Sequence, residues 1–98
     1  MEKNSPHCPL STVRDLIRQQ RVAATHTAKA GAAALGLGFI EMLEVVMALT
    51  EGDFHKAMTT YADDKVWQDV YKPMTHVGQL YVKLTVVNSL LIVSFKEK

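Results

Sequence analysis

The stretch from Gln79 to Lys96, QLYVKLTVVNSLLIVSFK, decides the fold. It is rich in β-branched residues and alternates with period two. Val82, Leu84 and Val86 point one way, and Gln79, Tyr81, Lys83 and Thr85 point the other. Asn88-Ser89 interrupts it as a two-residue hairpin, so residues 79–87 and 90–96 read as two antiparallel strands with one apolar and one polar face. On the second strand the alternation assigns Leu91, Val93 and Phe95 to the apolar side and Ser94 and Lys96 to the polar side.

Working upstream, residues 54–60 and 66–72 keep the short period, linked by Ala62-Asp63-Asp64-Lys65, and residues 73–78 join them to the hairpin. Val66, Gln68, Val70 and Lys72 share one side of the second of these strands, opposite Trp67, Asp69 and Tyr71. Strict alternation puts Lys56 with Phe54 and Met58, and His55 on the opposite side. Short links between sequential strands favour antiparallel pairing.

Before residue 54 the period lengthens to that of helices. Ser11 or Thr12 is a candidate cap for a helix with Val13, Leu16 and Ile17 on its apolar stripe and Arg14, Arg18 and Arg21 on another, ending near Gln20. An extended piece, residues 22–25, precedes Thr27, a second candidate cap, and an alanine-rich helix over 28–35 that is expected to be buried. Gly36 and Gly38 stop it. Phe39, Met42, Leu43, Val46, Met47 and Leu49 then form the apolar stripe of a third helix, ended by Thr50-Glu51-Gly52-Asp53. Three helices followed by a meander predict an α+β fold, one domain over residues 1–98. The helices are expected on one face of a twisted, mostly antiparallel sheet, with the other face free for function.

Composition sets outer bounds. With 11 Lys+Arg, 10 Asp+Glu and a net charge of +1, the 98-residue chain is no strongly basic nucleic-acid binder, so any polyanion must meet a local patch. A hydrophobic content of 48% is enough for a core at this size, which argues against disorder. Cys8 has no partner for an internal disulfide, the N-terminus does not read as a signal peptide, and the apolar runs are too short for a membrane span. These features point to a cytoplasmic protein.

Several chemistries lack the required spacing. Cys8, His7, His26, His55 and His76 make no CxxC or HExxH pattern, so no metal is expected. Gly36-Leu37-Gly38 lacks the third glycine and the preceding strand of a dinucleotide fingerprint. Ser11, Ser89 and Ser94 have no nucleophile-elbow context, and Asp63-Asp64 fits a turn. What remains is a set of polar strand residues: Lys56, Gln68, Tyr81, Lys83 and Lys96. Spacing alone favours an ordinary solvated face. The functional alternative is a site for a phosphodiester, with lysines opposing phosphorane charge and tyrosine or lysine moving protons. Arg14, Arg18 and Arg21 carry the same two readings, as a solvent-facing stripe or as a contact for an acidic partner.

The N-terminal MEK, the nearby Ser-Pro-His, LGLGF, DFHKAMTTYADDKVWQDVYKP and the C-terminal LLIVSFKEK together resemble the motility quorum-sensing regulator family of bacterial toxins, over essentially the whole chain. The resemblance implies a compact RelE- and YoeB-like fold. It implies an endoribonuclease that needs neither metal, cofactor nor ribosome and cuts single-stranded messenger RNA at GC-containing sites such as GCU. It also implies a cognate antitoxin with a zinc-binding N-terminal domain and a helix-turn-helix C-terminal domain, through which alone the toxin would meet DNA. The family's catalytic positions match Lys56, Gln68, Tyr81 and Lys96. His55, Tyr61, Lys72 and Lys83 are candidate substrate contacts.

The chain departs from the family pattern with His55, Lys72 and Asn88 where a well-known member carries tyrosine, arginine and histidine. Lys72 keeps the charge of arginine but loses its bidentate fork for phosphate. His55, opposite Lys56 by alternation, is expected to stack on a base or touch the RNA edge, and Asn88 suits a tight turn. The reaction implied is attack of a ribose 2′-hydroxyl on the adjacent phosphorus, leaving a 2′,3′-cyclic phosphate and a 5′-hydroxyl. The competing reading is a non-catalytic, antitoxin-binding transcriptional co-regulator.

Overall fold

A computed structural model describes residues 1–98. Three helices and a mixed sheet form an α+β fold. In chain order the elements are β1 (Glu2–Lys3), α1 (Leu10–Arg18), β2 (Val22–Ala24), α2 (His26–Ala34), α3 (Phe39–Met47), a single 3-10 turn (Glu51–Asp53), β3 (Phe54–Thr59), β4 (Trp67–Tyr71), β5 (Met74–Thr75), β6 (Gly78–Val87) and β7 (Ser89–Glu97). The strands lie in the order β1-β3-β4-β6-β7-β2, with β5 paired to β6 off this path. All pairs are antiparallel except β2 with β7, which are parallel and separated in the chain by α2, α3 and strands β3 to β6. β1 and β5 are two-residue strands, too short for a periodic signal, and neither was expected.

Backbone chemistry corrects both helix caps. α1 starts after Pro9, whose fixed φ suits a helix entrance, and has no side-chain cap, so neither Ser11 nor Thr12 performs that role. α2 starts after Thr25, whose hydroxyl accepts from Ala28 N–H at 3.0 Å and donates to the Val93 carbonyl at 2.8 Å. The cap thus ties the helix to β7, and Thr27 is a helical residue. The alanine-rich helix is not buried as a whole: only Ala28 and Ala32 are fully inside. Gly31 explains how close it sits, because a Cβ there would lie 2.0 Å from the Phe95 carbonyl oxygen.

One apolar cluster joins Leu10, Val13 and Leu16 of α1, Ala28 and Ala32 of α2 and Met42 and Val46 of α3 to Tyr71, Leu80, Val82, Leu84, Leu90, Ile92 and Phe95 of the sheet. Val82 and Leu84 behave as alternation requires. On β7 the expected phase fails. Lys83 pairs with Ser94 but Leu84 pairs with Ile92, so Val93 is the extra residue of a β-bulge. The slip of one residue exchanges faces, so Leu90 and Ile92 are buried before the bulge and Phe95 after it, while Leu91 and Val93 stay partly exposed.

The expected arginine stripe is largely spent on structure. Arg14 donates to the carbonyls of Met47 and Leu49, closing the C-terminal end of α3. Arg18 pairs with Asp15 at 3.0 Å, and Arg21 donates to the carbonyl of Asn88. That carbonyl belongs to a reversal tighter than a two-residue hairpin: Val87 pairs with Ser89 around Asn88, which adopts φ 67°, a left-handed conformation that asparagine tolerates.

The N-terminal segment covers the β3–β4 end of the helix-side face. Asp69, 4% exposed, accepts from the backbone N–H groups of His7 (2.9 Å) and Cys8 (3.0 Å). His7 stacks on Trp67 with ring centroids 5.5 Å apart, and Lys3 Nζ lies 4.2 Å from the Trp67 ring centre. No single helix is long and apolar enough to cross a membrane.

Candidate active site on the open face of the sheet

Residues directly paired across strands share a face, so the register decides which side chains meet. Lys56 pairs with Val70, Val70 with Lys83 and Lys83 with Ser94, giving one row across β3, β4, β6 and β7. Tyr81 pairs with Lys96 in the next row on the same side. Gln68 stands two residues from Val70 and pairs with Met58. Lys56, Gln68, Tyr81, Lys83 and Lys96 therefore share the face opposite Tyr71, Val82 and Leu84. Lys72 follows Tyr71 and falls on the same side as Gln68 and Val70.

At the centre of this face Val70 is fully buried although no helix residue joins it in the core cluster. Its cover comes from its neighbours, whose aliphatic stems shield it while their polar ends reach outward. Lys56 Nζ donates to the Glu2 carboxylate at 3.0 Å. Lys96 Nζ lies 5.2 Å and Lys83 Nζ 5.8 Å from the Tyr81 ring centre, so two cations flank one phenol. Strands about 4.8 Å apart put the backbones of β3 and β7 roughly 15 Å from each other. Lys96 leans inward over Tyr81 of β6, whereas Lys56 reaches the other way, to Glu2 on β1.

The structure differs from strict alternation at β3. Phe54 pairs with Tyr71, yet Lys56 pairs with Val70, so His55 is the extra residue of a second β-bulge. Phe54 turns to the core, where its ring meets Tyr71 edge-on at 5.5 Å, and Lys56 turns to the open face. The expected opposition of His55 and Lys56 is lost, because alternation does not cross a bulge. The charges that act on the exposed His55 imidazole belong to Lys72, Lys56, Glu2 and Lys98. Loss of hydration beside the sheet, then Lys72 and Lys56, then Lys98, lower its pKa below the ordinary 6.5; Glu2 opposes them.

Tyr61 is not part of the cluster. It stands fully exposed on the loop after β3, in which Thr60 and Asp63 bond each other. Two site-side residues escaped sequence reasoning. Glu2, the partner of Lys56, sits on a two-residue strand whose pairing with β3 nothing local announces. Lys98, whose N–H donates to the Gln79 carbonyl, lies past the last periodic residue.

Comparison with known proteins places the chain as a whole. Residues 5–97 match the family model described as motility quorum-sensing regulator, toxin of MqsA. The chain is 50% identical over 98 residues to the mRNA interferase toxin MqsR of Escherichia coli (strain K12), covering 100% of both chains. A match along the whole length, with the polar residues of the resemblance gathered on one uncovered face, leads to one assignment: the chain belongs to the motility quorum-sensing regulator family of toxins.

Proposed function

We propose that the chain is an endoribonuclease toxin that cuts single-stranded messenger RNA at GC-containing, GCU-like sites, without metal or ribosome, and so stops translation and growth. The observation that carries this reading is the placement of Lys56, Lys83, Lys96, Tyr81 and Gln68 on one face of the sheet, opposite the helix-covered core, with Lys83 and Lys96 flanking Tyr81. The name of the Escherichia coli relative, an mRNA interferase toxin, supports the same activity.

The chemistry follows from what those groups offer. The nucleophile is the substrate's own 2′-hydroxyl, so the protein need not activate a water. As attack proceeds, negative charge grows on the non-bridging oxygens of phosphorus, and Lys56 and Lys96 oppose it with ammonium N–H donors. Gln68 holds the phosphate or a base edge by hydrogen bonds, and Tyr81, steadied between Lys83 and Lys96, gives a proton to the departing 5′-oxygen. Lys72 and Lys83 extend the contact to flanking phosphates. Single-stranded RNA suits a face this open, because unpaired bases are free to splay and stack, and the exposed Tyr61 offers a ring for that purpose.

The wider reading is a single toxin domain with a RelE-like arrangement of helices on a sheet, acting in the cytoplasm. Its inhibitor is a cognate antitoxin with a zinc-binding domain and a helix-turn-helix domain, through which it meets DNA. The test is purified protein mixed with a GCU-containing RNA in EDTA. Cleavage by the wild type and its loss in Lys56→Ala are expected. Intact RNA would favour the non-catalytic co-regulator instead, and equal cutting by Lys56→Ala would overturn the catalytic assignment of Lys56.

A further inference from the structure

A cyclising cleavage needs a group to take the 2′-hydroxyl proton, and most of the open face is poorly equipped for it. Lysine as an ammonium has three donors and no lone pair, and glutamine is not a base. An imidazole suits the task, since its charge change falls near neutral pH. His55 is the histidine beside this face. His7 is stacked on Trp67 behind the sheet, His26 opens α2, and His76 lies on the turn between β5 and β6.

Three observations bear on His55. It is the inserted residue of the β3 bulge, and bulges re-aim side chains that alternation would send elsewhere. It adjoins Lys56 and lies within the fields of Lys72, Lys56, Glu2 and Lys98, residues of β1, β3, the end of β4 and the chain's end. The nearby Asp53 does not pair with it, because that carboxylate is turned back onto Thr50 N–H at 2.9 Å and Thr50 Oγ1 at 3.1 Å.

We propose that His55 is the general base of RNA cleavage in this chain, taking the 2′-hydroxyl proton as the 2′-oxygen bonds to phosphorus beside Lys56. The proposal rests on the open face being the cleavage site. The 2′-oxygen–phosphorus bond forms and the phosphorus–5′-oxygen bond breaks. One proton passes to the imidazole and one passes from Tyr81 to the leaving oxygen, and solvent exchange restores both groups. The surrounding lysines favour this direction of transfer, since they disfavour the imidazolium and leave His55 neutral, with a lone pair free, at physiological pH.

The experiment is the pH dependence of kcat and KM for a short GCU-containing RNA, in wild type, His55→Asn, Glu2→Gln and Lys56→Ala. Wild-type kcat/KM is expected to rise about tenfold per pH unit at acid pH and to level off below 6.5, the ordinary histidine value. His55→Asn should lower kcat by about 100-fold or more, abolish that inflection and leave KM within a few-fold. Added imidazole should partly restore a His55→Ala variant. A base-stacking role predicts a raised KM with kcat and the inflection intact, and that result would overturn the proposal. Transfer of the lost inflection to Glu2→Gln would overturn it too. A fully active His55→Asn beside an inactive Lys56→Ala would remove His55 alone and leave the cleavage reading standing, whereas an inactive wild type would remove both.

Discussion

The two faces of the sheet are built from the same strands and do opposite things. On the covered face Val82, Leu84, Ile92 and Phe95 meet the helices, and the space between is filled with apolar side chains. On the open face Lys56 and Lys83 stand two strands apart on either side of the buried Val70, with Lys96 one strand further on, and like charges so placed repel each other. What the covered face contributes in stability allows the open face to hold like charges near each other. Alternation along single strands separates the apolar core from the polar face to which the chemistry is assigned.

The largest effect should come from breaking the covered face. Ile92→Asp puts an unpaired charge among fully buried residues, and we expect loss of cooperative folding in circular dichroism melts, since the cost exceeds about 4 kcal/mol against a typical total of about 5–15. Next is Gly31→Ala. Its Cβ would collide with the Phe95 carbonyl, forcing α2 off β7 and lowering stability by about 2–3 kcal/mol in urea titration.

The sharpest comparison makes the same chemical change on each face. Tyr81→Phe should reduce cleavage about 10–100-fold with the melting temperature nearly unchanged, because Tyr81 stands on the open face, outside the core cluster, and is proposed as the proton donor. Tyr71→Phe should do the reverse. The Tyr71 hydroxyl is buried without a hydrogen-bond partner, so its removal should leave cleavage intact and raise stability by about 1 kcal/mol. Burial first, then Asp69 and Cys8, push the Tyr71 phenol up from 10.0 to about 12. The folded state therefore favours the protonated phenol. Its stability contribution is complete below pH 10 and declines as pH rises toward 12, and denaturant titrations of Tyr71→Phe should lack that decline.

How much of this was legible depended on where alternation runs unbroken. β6 has no bulge of its own residues, and its two faces are as Val82, Leu84, Tyr81 and Lys83 suggested. β3 and β7 each carry one inserted residue, His55 and Val93, which leaves no mark on composition yet reverses every side chain beyond it. Lys56 was expected beside Phe54 and is on the other face, and Leu91 was expected in the core where Ile92 stands. The grouping of Lys56, Gln68, Tyr81 and Lys96 came from the resemblance, since spacing could not prefer them to Lys72 or Lys83. Arg14 and Arg21 read as part of a free stripe because their acceptors, the carbonyls of Met47 and Leu49 for Arg14 and of Asn88 for Arg21, are distant in sequence.

The central claim is that a lysine-rich sheet face cuts RNA by using the substrate's own 2′-hydroxyl. The direct measurement is the chemistry of the ends left on a GCU-containing RNA after cleavage in EDTA. The account predicts a 2′,3′-cyclic phosphate on one fragment and a 5′-hydroxyl on the other. A 3′-hydroxyl with a 5′-phosphate would require water as the nucleophile and would contradict it.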